Sequence, residues 1–152
     1  MGIEFFVEGT PVAKERVKKF FNKNTGRMWG YTPKKTVDWE NIIRKEALKY
    51  IHLKYPKDTP LVATIQILVS IPKSFSKKKT EQALDDKILP TVRPDLDNFL
   101  KSALDPLNGI LFDDDSQIVE LTASKFYSNT PGINIKIDKI VDKGIKDINN
   151  DS

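Results

Sequence analysis

Pro94-Asp95-Leu96-Asp97-Asn98-Phe99-Leu100-Lys101-Ser102-Ala103-Leu104-Asp105-Pro106-Leu107-Asn108-Gly109 carries two periodicities at once. Leu96, Phe99, Leu100, Ala103, Leu104 and Leu107 recur at the three- and four-residue spacing of a helix that buries one face. Asp97, Lys101 and Asp105 recur at i, i+4 and i+8 on the opposite face. The spacing predicts a helix over residues 97–108, stopped by Asn108-Gly109, with Pro106 removing a backbone donor and kinking or tightening the last turn. Just ahead of it, Asp95 and Asp97 are two apart in extended chain, so their side chains point to the same side.

Working outward, residues 61–71 form a β-branched run (Val62, Ile65, Ile67, Val69, Ile71) long enough for a central strand, ended by Pro72. Residues 73–94 read as a polar, basic excursion with one short helix around 80–84. Downstream, residues 117–127 alternate Val119, Leu121 and Ala123 with Glu120, Thr122 and Ser124, a half-buried strand. Pro131-Gly132 then turns the chain into a strand at 133–137, expected to pair antiparallel with its predecessor. At the other end, residues 3–7 read as a first strand closed by Gly9-Thr10-Pro11. A basic hairpin follows, residues 16–21 and 27–31 around the turn Asn22-Lys23-Asn24-Thr25-Gly26, with lysines interleaved among Phe20, Phe21, Trp29 and Tyr31. Thr36 is the expected N-cap of a helix over 36–51 that buries Trp39, Ile43, Ala47 and Tyr50, with Asp38 and Glu40 near its positive end. The expected fold is α+β: one small domain over residues 1–142 with a mixed sheet, two main helices and the hairpin, then a frayed tail at 143–152.

Composition narrows the chemistry. The chain has 152 residues, no cysteine and one histidine, His52, which argues against structural zinc, thiol nucleophiles and histidine-rich metal centres. No apolar run approaches the ~18 residues of a membrane span, and the first residues lack the pattern of a secretion signal, so a cytoplasmic home with no membrane partner is expected. The net charge is only +4, but it is unevenly spread. Residues 9–54 hold twelve Lys or Arg against four Asp or Glu, whereas residues 94–120 hold one lysine against seven acids. A polyanion binder needs the first block, and phosphoryl chemistry with a divalent metal needs the second.

The acidic block can be read two ways. Carboxylates at ~4 Å repel by about 4 kcal/mol at an effective dielectric of 20, so a cluster needs a cation or a proton between its members. Asp95, Asp97 and a third acid from Asp113-Asp114-Asp115 folding back over the helix start would hold magnesium or manganese, which activates water and shields a phosphate. Lys101, one turn beyond Asp97, would then stabilise charge building on the phosphate, and Asn98 would orient a ligand. The plainer alternatives are that Asp95 and Asp97 cap the helix, Asp97 and Lys101 form a surface pair, and the acidic turn and the hairpin are merely solvated.

The order of these pieces, Pro94-Asp95-Leu96-Asp97-Asn98-Phe99-Leu100-Lys101, Asp105, Leu107-Asn108-Gly109 and Asp114-Asp115-Ser116-Gln117-Ile118-Val119, resembles the signature of the RusA family of Holliday junction resolvases. Residues 9–14, 31–36 and 72–79 are similar to stretches in prophage relatives of that family, so the resemblance covers most of the chain up to residue 137. It implies a homodimeric mixed α/β endonuclease, in a bacterial or phage-infected cell, that cuts two opposed strands of a four-way DNA junction with magnesium, or manganese in its place. By the same resemblance Asp95, Asp97 and Asp115 match metal-binding aspartates, Lys101 the catalytic lysine, and Asn98 and Asp114 supporting residues. Pro106 departs from the small residue often found there, and Asp113 adds a third consecutive acid, which leaves the choice between Asp114 and Asp115 open. Lys14, Arg16, Lys18, Lys19, Arg27, Lys34, Lys35, Lys73, Lys77, Lys78 and Lys79 are the expected phosphate contacts, with Phe20, Phe21 or Trp29 packing on unstacked bases at the crossover. The competing readings are a branched-DNA-binding protein that does not cut, and a generic nuclease indifferent to branching.

Overall fold

The computed structural model of the protein describes residues 2–15 and 18–141; Arg16 and the expected tail at 143–152 lie outside the described residues. The chain runs β1 (Ile3–Glu8), the hairpin β2 (Lys18–Asn22) and β3 (Arg27–Tyr31), then α1 (Lys34–Ala47) and β4 (Leu61–Ser70). The helices α2 (Lys77–Leu84) and α3 (Leu96–Leu104) follow, then β5 (Ile118–Ser128) and β6 (Gly132–Lys139). One mixed sheet has the order β1-β6-β4-β5, and β2 and β3 form a separate two-stranded sheet. The α+β class with a mixed sheet is thus what the sequence led one to expect. No helix among the described residues is long and apolar enough to cross a membrane.

Strand alternation puts one face of the sheet under the helices. Ile3, Phe5 and Val7 of β1, Ile133, Ile135 and Ile137 of β6, and Ala63, Ile65 and Ile67 of β4 are buried in one cluster with Trp39, Ile43 and Ala47 of α1 and Phe99 and Ala103 of α3. The register is consistent across the sheet: Ile135 faces Phe5 on one side and Ile65 on the other. Tyr50, in a 3₁₀ turn after α1, stacks on Phe5 with centroids 5.2 Å apart.

Three local expectations change. First, β6 does not pair with β5. β4 lies between them, antiparallel to β6 and parallel to β5, and residues 129–131 step across its end. β4 is the most continuously apolar strand, and taking the centre pairs both its edges. Second, the inward alternation expected at Val119 and Leu121 is lost. A register shift at Leu61/Val62 inserts Val119 as an extra residue, and it is 61% exposed, while Leu121 on this edge strand is 43% exposed. Third, Thr36 is not an N-cap. The helix begins two residues earlier behind Pro33, whose extended backbone ends the preceding segment, and Thr36 is wholly buried with a hydroxyl that has no hydrogen-bond partner among the described residues. At the other helix, α3 gives way at Asp105 to a 3₁₀ turn containing Pro106, the tightening that a missing donor there requires.

Candidate metal and nucleic-acid site

The start of α3 is fixed from below. Lys125 of β5 donates its ammonium to the carbonyls of Val92 and Pro94, each at 3.2 Å, which holds the segment entering the helix. Asp95 then occupies the N-cap with extended backbone, yet its side chain makes no capping bond. Asp97 lies in the first turn, and both aspartates are exposed. Facing them is the segment 10–15, and together they enclose a cleft of about 1070 Å³. Asp95, Asp97, Asn98 and Lys101 line it from α3, with Lys14, Lys35 and Arg93 among the cations around it.

The opposite wall is tied to the helix at two points. The Lys14 amide donates to the Asn98 carbonyl at 2.9 Å, and the buried Ser102 hydroxyl donates to the Val12 carbonyl, sharing its proton with Phe99 one turn back. Gly9 enters this wall at φ 143, where an added Cβ would sit 3.0 Å from the Trp39 ring, so the close approach and the dihedral both call for glycine. The Lys14 ammonium sits 2.6 Å from Glu40 and 3.2 Å from Asp105. Burial works to lower its pKa, but the bonds and charges of those two acids prevail and hold it above the ordinary lysine value.

The acidic turn is organised by Gln117. Its amide oxygen accepts from the amides of Asp113 and Asp114, and its NH₂ donates to the carbonyls of Pro56 and Thr59 at 3.0 and 3.1 Å. Asp113 is ion-paired with Lys54 at 2.6 Å. Asp114 is the N-cap of a short 3₁₀ turn in a capping box with Gln117, and the bond from Ser116 lowers its pKa. Asp115 is half-buried, and its pKa is raised, first by that burial and then by the charges of Asp114 and Asp105.

The expected site residues therefore separate into two groups. Asp95, Asp97, Asn98 and Lys101 share the cleft; Asp115 does not line it, and it feels the charge of Asp105, in the 3₁₀ turn that follows α3. Among the described residues no three His, Cys, Asp or Glu side chains come together closely enough to hold a metal ion. Two plainer readings are not realised: Asp95 does not cap, and no Asp97–Lys101 ion pair forms within 4 Å. The side chains of Asp95, Asp97 and Asp115 form no ion pair and no hydrogen bond with another described residue, whereas those of Asp105, Asp113 and Asp114 all have partners.

Of the expected phosphate contacts, Lys14 is committed to its two acids. Lys19, Arg27, Lys34, Lys35, Lys73, Lys77, Lys78 and Lys79 are exposed, and the Lys79 ammonium lies 4.2 Å from the Phe75 ring centroid. The backbone of Lys18 opens β2, opposite Tyr31. Sequence reasoning missed Arg93, Glu40, Ser102 and Lys125. Arg93 sits immediately before the Pro94-Asp95 motif and was legible there; a lysine on the buried alternation of β5 marks Lys125; Glu40 and Ser102 acquire their roles only through contacts with segments far away in the chain.

These features have relatives. The chain is 32% identical over 143 residues to YqaN, an uncharacterized protein of Bacillus subtilis strain 168, an alignment spanning 91% of this chain and 96% of the relative. Residues 8–138 match the family model described as endodeoxyribonuclease RusA, a stretch that includes both walls of the cleft, the acidic turn, β4, β5 and nearly all of β6. The chain belongs to the RusA endodeoxyribonuclease family.

Proposed function

We propose that the protein resolves four-way DNA junctions by metal-dependent hydrolysis, leaving 5′-phosphate and 3′-hydroxyl ends, with Asp95 and Asp97 in the cleft holding magnesium or manganese and Asp115, which does not line the cleft, as the third ligand that would have to be brought to it. The observation that carries this reading is the division among the acids. Those with structural work are paired, and the three that match the family's metal aspartates have no partner among the described residues. Two exposed carboxylates fit a hard divalent ion, since magnesium is commonly held by one or two carboxylates and keeps several waters. When bound, such an ion supplies an activated water and shields the phosphate charge. Lys101 extends from the same helix face into the cleft, where its ammonium would stabilise charge on the phosphate being cut, and Asn98 would orient the substrate or a ligand.

The assignment of Asp115 rather than Asp114 follows from the same logic. Asp114 already accepts a capping bond, and pulling it away would release the turn; Asp115 carries an uncompensated charge that a cation would relieve. The cations are placed for a polyanion. Lys34 and Lys35 open α1, and Lys77, Lys78 and Lys79 open α2, with no acid in either first turn. Lysine there opposes the positive end of the helix dipole, a position that favours anions, so phosphates bound at these ends would satisfy both lysines and backbone. Two opposed nicks require two copies of the site, which a twofold homodimer provides.

The test is cleavage of a synthetic four-way junction. Asp97→Asn should abolish paired nicking with magnesium while retaining junction binding in EDTA; a variant that cuts as fast as the parent overturns the metal assignment. Asp115→Asn should lose cleavage, while Asp114→Asn, which keeps a capping side chain, should retain most of it. Parent protein that binds junctions and leaves them intact with either metal would select the non-cutting reading.

A further inference from the structure

We propose that one face of the β2–β3 hairpin is a stacking platform for unpaired nucleotides of the DNA substrate. This rests on the reading of the protein as a branched-DNA enzyme, although its test needs neither metal nor cleavage. Phe20 lies directly opposite Trp29, and Tyr31 follows on the same face. The three rings form a ladder, with centroids 4.6 Å apart for Phe20–Trp29, 5.8 Å for Phe20–Tyr31 and 6.3 Å for Trp29–Tyr31. Their planes lie within 26° of one another.

Such cross-strand pairs stabilise a hairpin by themselves, and this is the plainer role. It leaves the rings' outer faces unexplained. Every described residue from 19 to 31 is exposed, and Phe20, Trp29 and Tyr31 stay 43%, 53% and 45% accessible, so the ladder contributes nothing to the core. The charge around it identifies the occupant. Residues 16–37 contain seven Lys or Arg and no Asp or Glu, and Lys19, Lys23, Arg27, Lys34 and Lys35 form no ion pair with another described residue. A second copy of the hairpin would bring like charges together. A ligand that combines dense negative charge with flat, uncovered rings is nucleic acid with unpaired bases; a duplex offers the charge but hides the ring faces in its stack. Strands crossing between arms are where a junction substrate would offer such bases.

The molecule carries its own probe, because Trp29 is exposed while the second tryptophan, Trp39, is 3% accessible. The full chain in EDTA is titrated with a 12-nucleotide oligothymidylate and, separately, a 12-base-pair duplex. The single strand should quench Trp29 emission and bind more tightly than the duplex. Trp29→Leu should weaken the single strand roughly 5- to 150-fold, the range for losing one stacked base, with little change for the duplex. Trp29→Phe should stay within about threefold of the parent, and Met28→Thr, on the other face of the hairpin, should leave affinity unchanged. Three results overturn the proposal: no quenching, equal loss of single strand and duplex in Trp29→Leu, or a loss in Met28→Thr as large as in Trp29→Leu. Dissociation of a parent dimer by Trp29→Leu in sedimentation would reassign the face to self-association. Failure of the parent to cut a junction with magnesium would remove the nuclease reading and leave the stacking result standing.

Discussion

Replacing Asp95 by alanine separates a capping aspartate from one held for metal. An aspartate that caps contributes about 0.5–2 kcal/mol, lost on replacement by alanine. Asp95 sits at that position but makes no capping bond, so only its favourable charge at the positive helix end is lost. That interaction is worth about 0.3–1 kcal/mol, and an exposed site in ordinary salt falls at the low end. A loss of about 0.3 kcal/mol lowers the unfolding midpoint of a chain this size by roughly 1 °C. Cleavage should respond on another scale. Removing an outer partner of a metal ligand commonly costs 10–100-fold, so removal of a ligand should exceed ~100-fold, or about 2.7 kcal/mol on the barrier. Urea unfolding, single-turnover junction cleavage with magnesium, and junction binding in EDTA are measured at one ionic strength. Metal-free binding should be equal or slightly tighter, since a negative charge has left a surface that meets phosphate. A variant that is 1–2 kcal/mol less stable and loses activity only in proportion to its folded fraction would return Asp95 to the role of a cap.

Three further outcomes follow from the buried groups. Ser102→Ala removes the bond to the Val12 carbonyl, worth about 1 kcal/mol net and partly offset by alanine's helix preference. Hydrogen exchange at the Lys14 amide should then accelerate about fivefold, and unchanged protection would mean that the 10–15 wall is not held through Ser102. Thr36→Val keeps the branched shape and removes a buried hydroxyl without a partner, so stability should rise by about 1 kcal/mol, or roughly 3 °C; a loss would show that the hydroxyl is bonded. Tyr55 is buried, and that burial, then the charge of Asp138, raises its phenol pKa. The unfolded chain releases this proton near ~10, before the folded one does, so stability falls as pH rises past that value. Tyr55→Phe should flatten that alkaline slope and lose about 1 kcal/mol at neutral pH with the bond to the Ile137 carbonyl; an unaltered slope would refute it.

How far the sequence could be read depended on whether the signal was local. The apolar stripe of α3, the β-branched run of β4 and the Asn-Gly-rich hairpin turn are properties of consecutive residues, and each element formed where expected. The Gly26 amide bonds to the Asn22 carbonyl, and the Asn22 side chain accepts from Asn24, which is turn chemistry encoded in five residues. Sheet order was not local. The short 129–131 connection suggested a β5–β6 hairpin, and only competition for the centre of the sheet places β4 between them. The same holds for Thr36, a good cap by type that Pro33 displaced into the core. At the site, the order of Asp95, Asp97, Lys101 and Asp115 was legible as a motif. The neutralisation of Asp105 by Lys14, whose ammonium had been expected on phosphate, depends on a contact between residues 91 positions apart.

Asp115 and the lysines at helix starts have one physical feature in common: each is unfavourable in the isolated protein. Asp115 is held beside two other carboxylates, and the first turns of α1 and α2 place cations at the positive ends of their helices. A divalent cation relieves only the first, and a phosphate backbone relieves only the second while adding charge next to Asp95 and Asp97. Together they would relieve both, since a cation held by these carboxylates would also offset the phosphate charge. Each ligand should therefore raise the affinity for the other by the same factor, as linkage requires. On the proposed function the unpaired charges would make metal and branched DNA bind as a cooperative pair, and would tie cleavage to the presence of both.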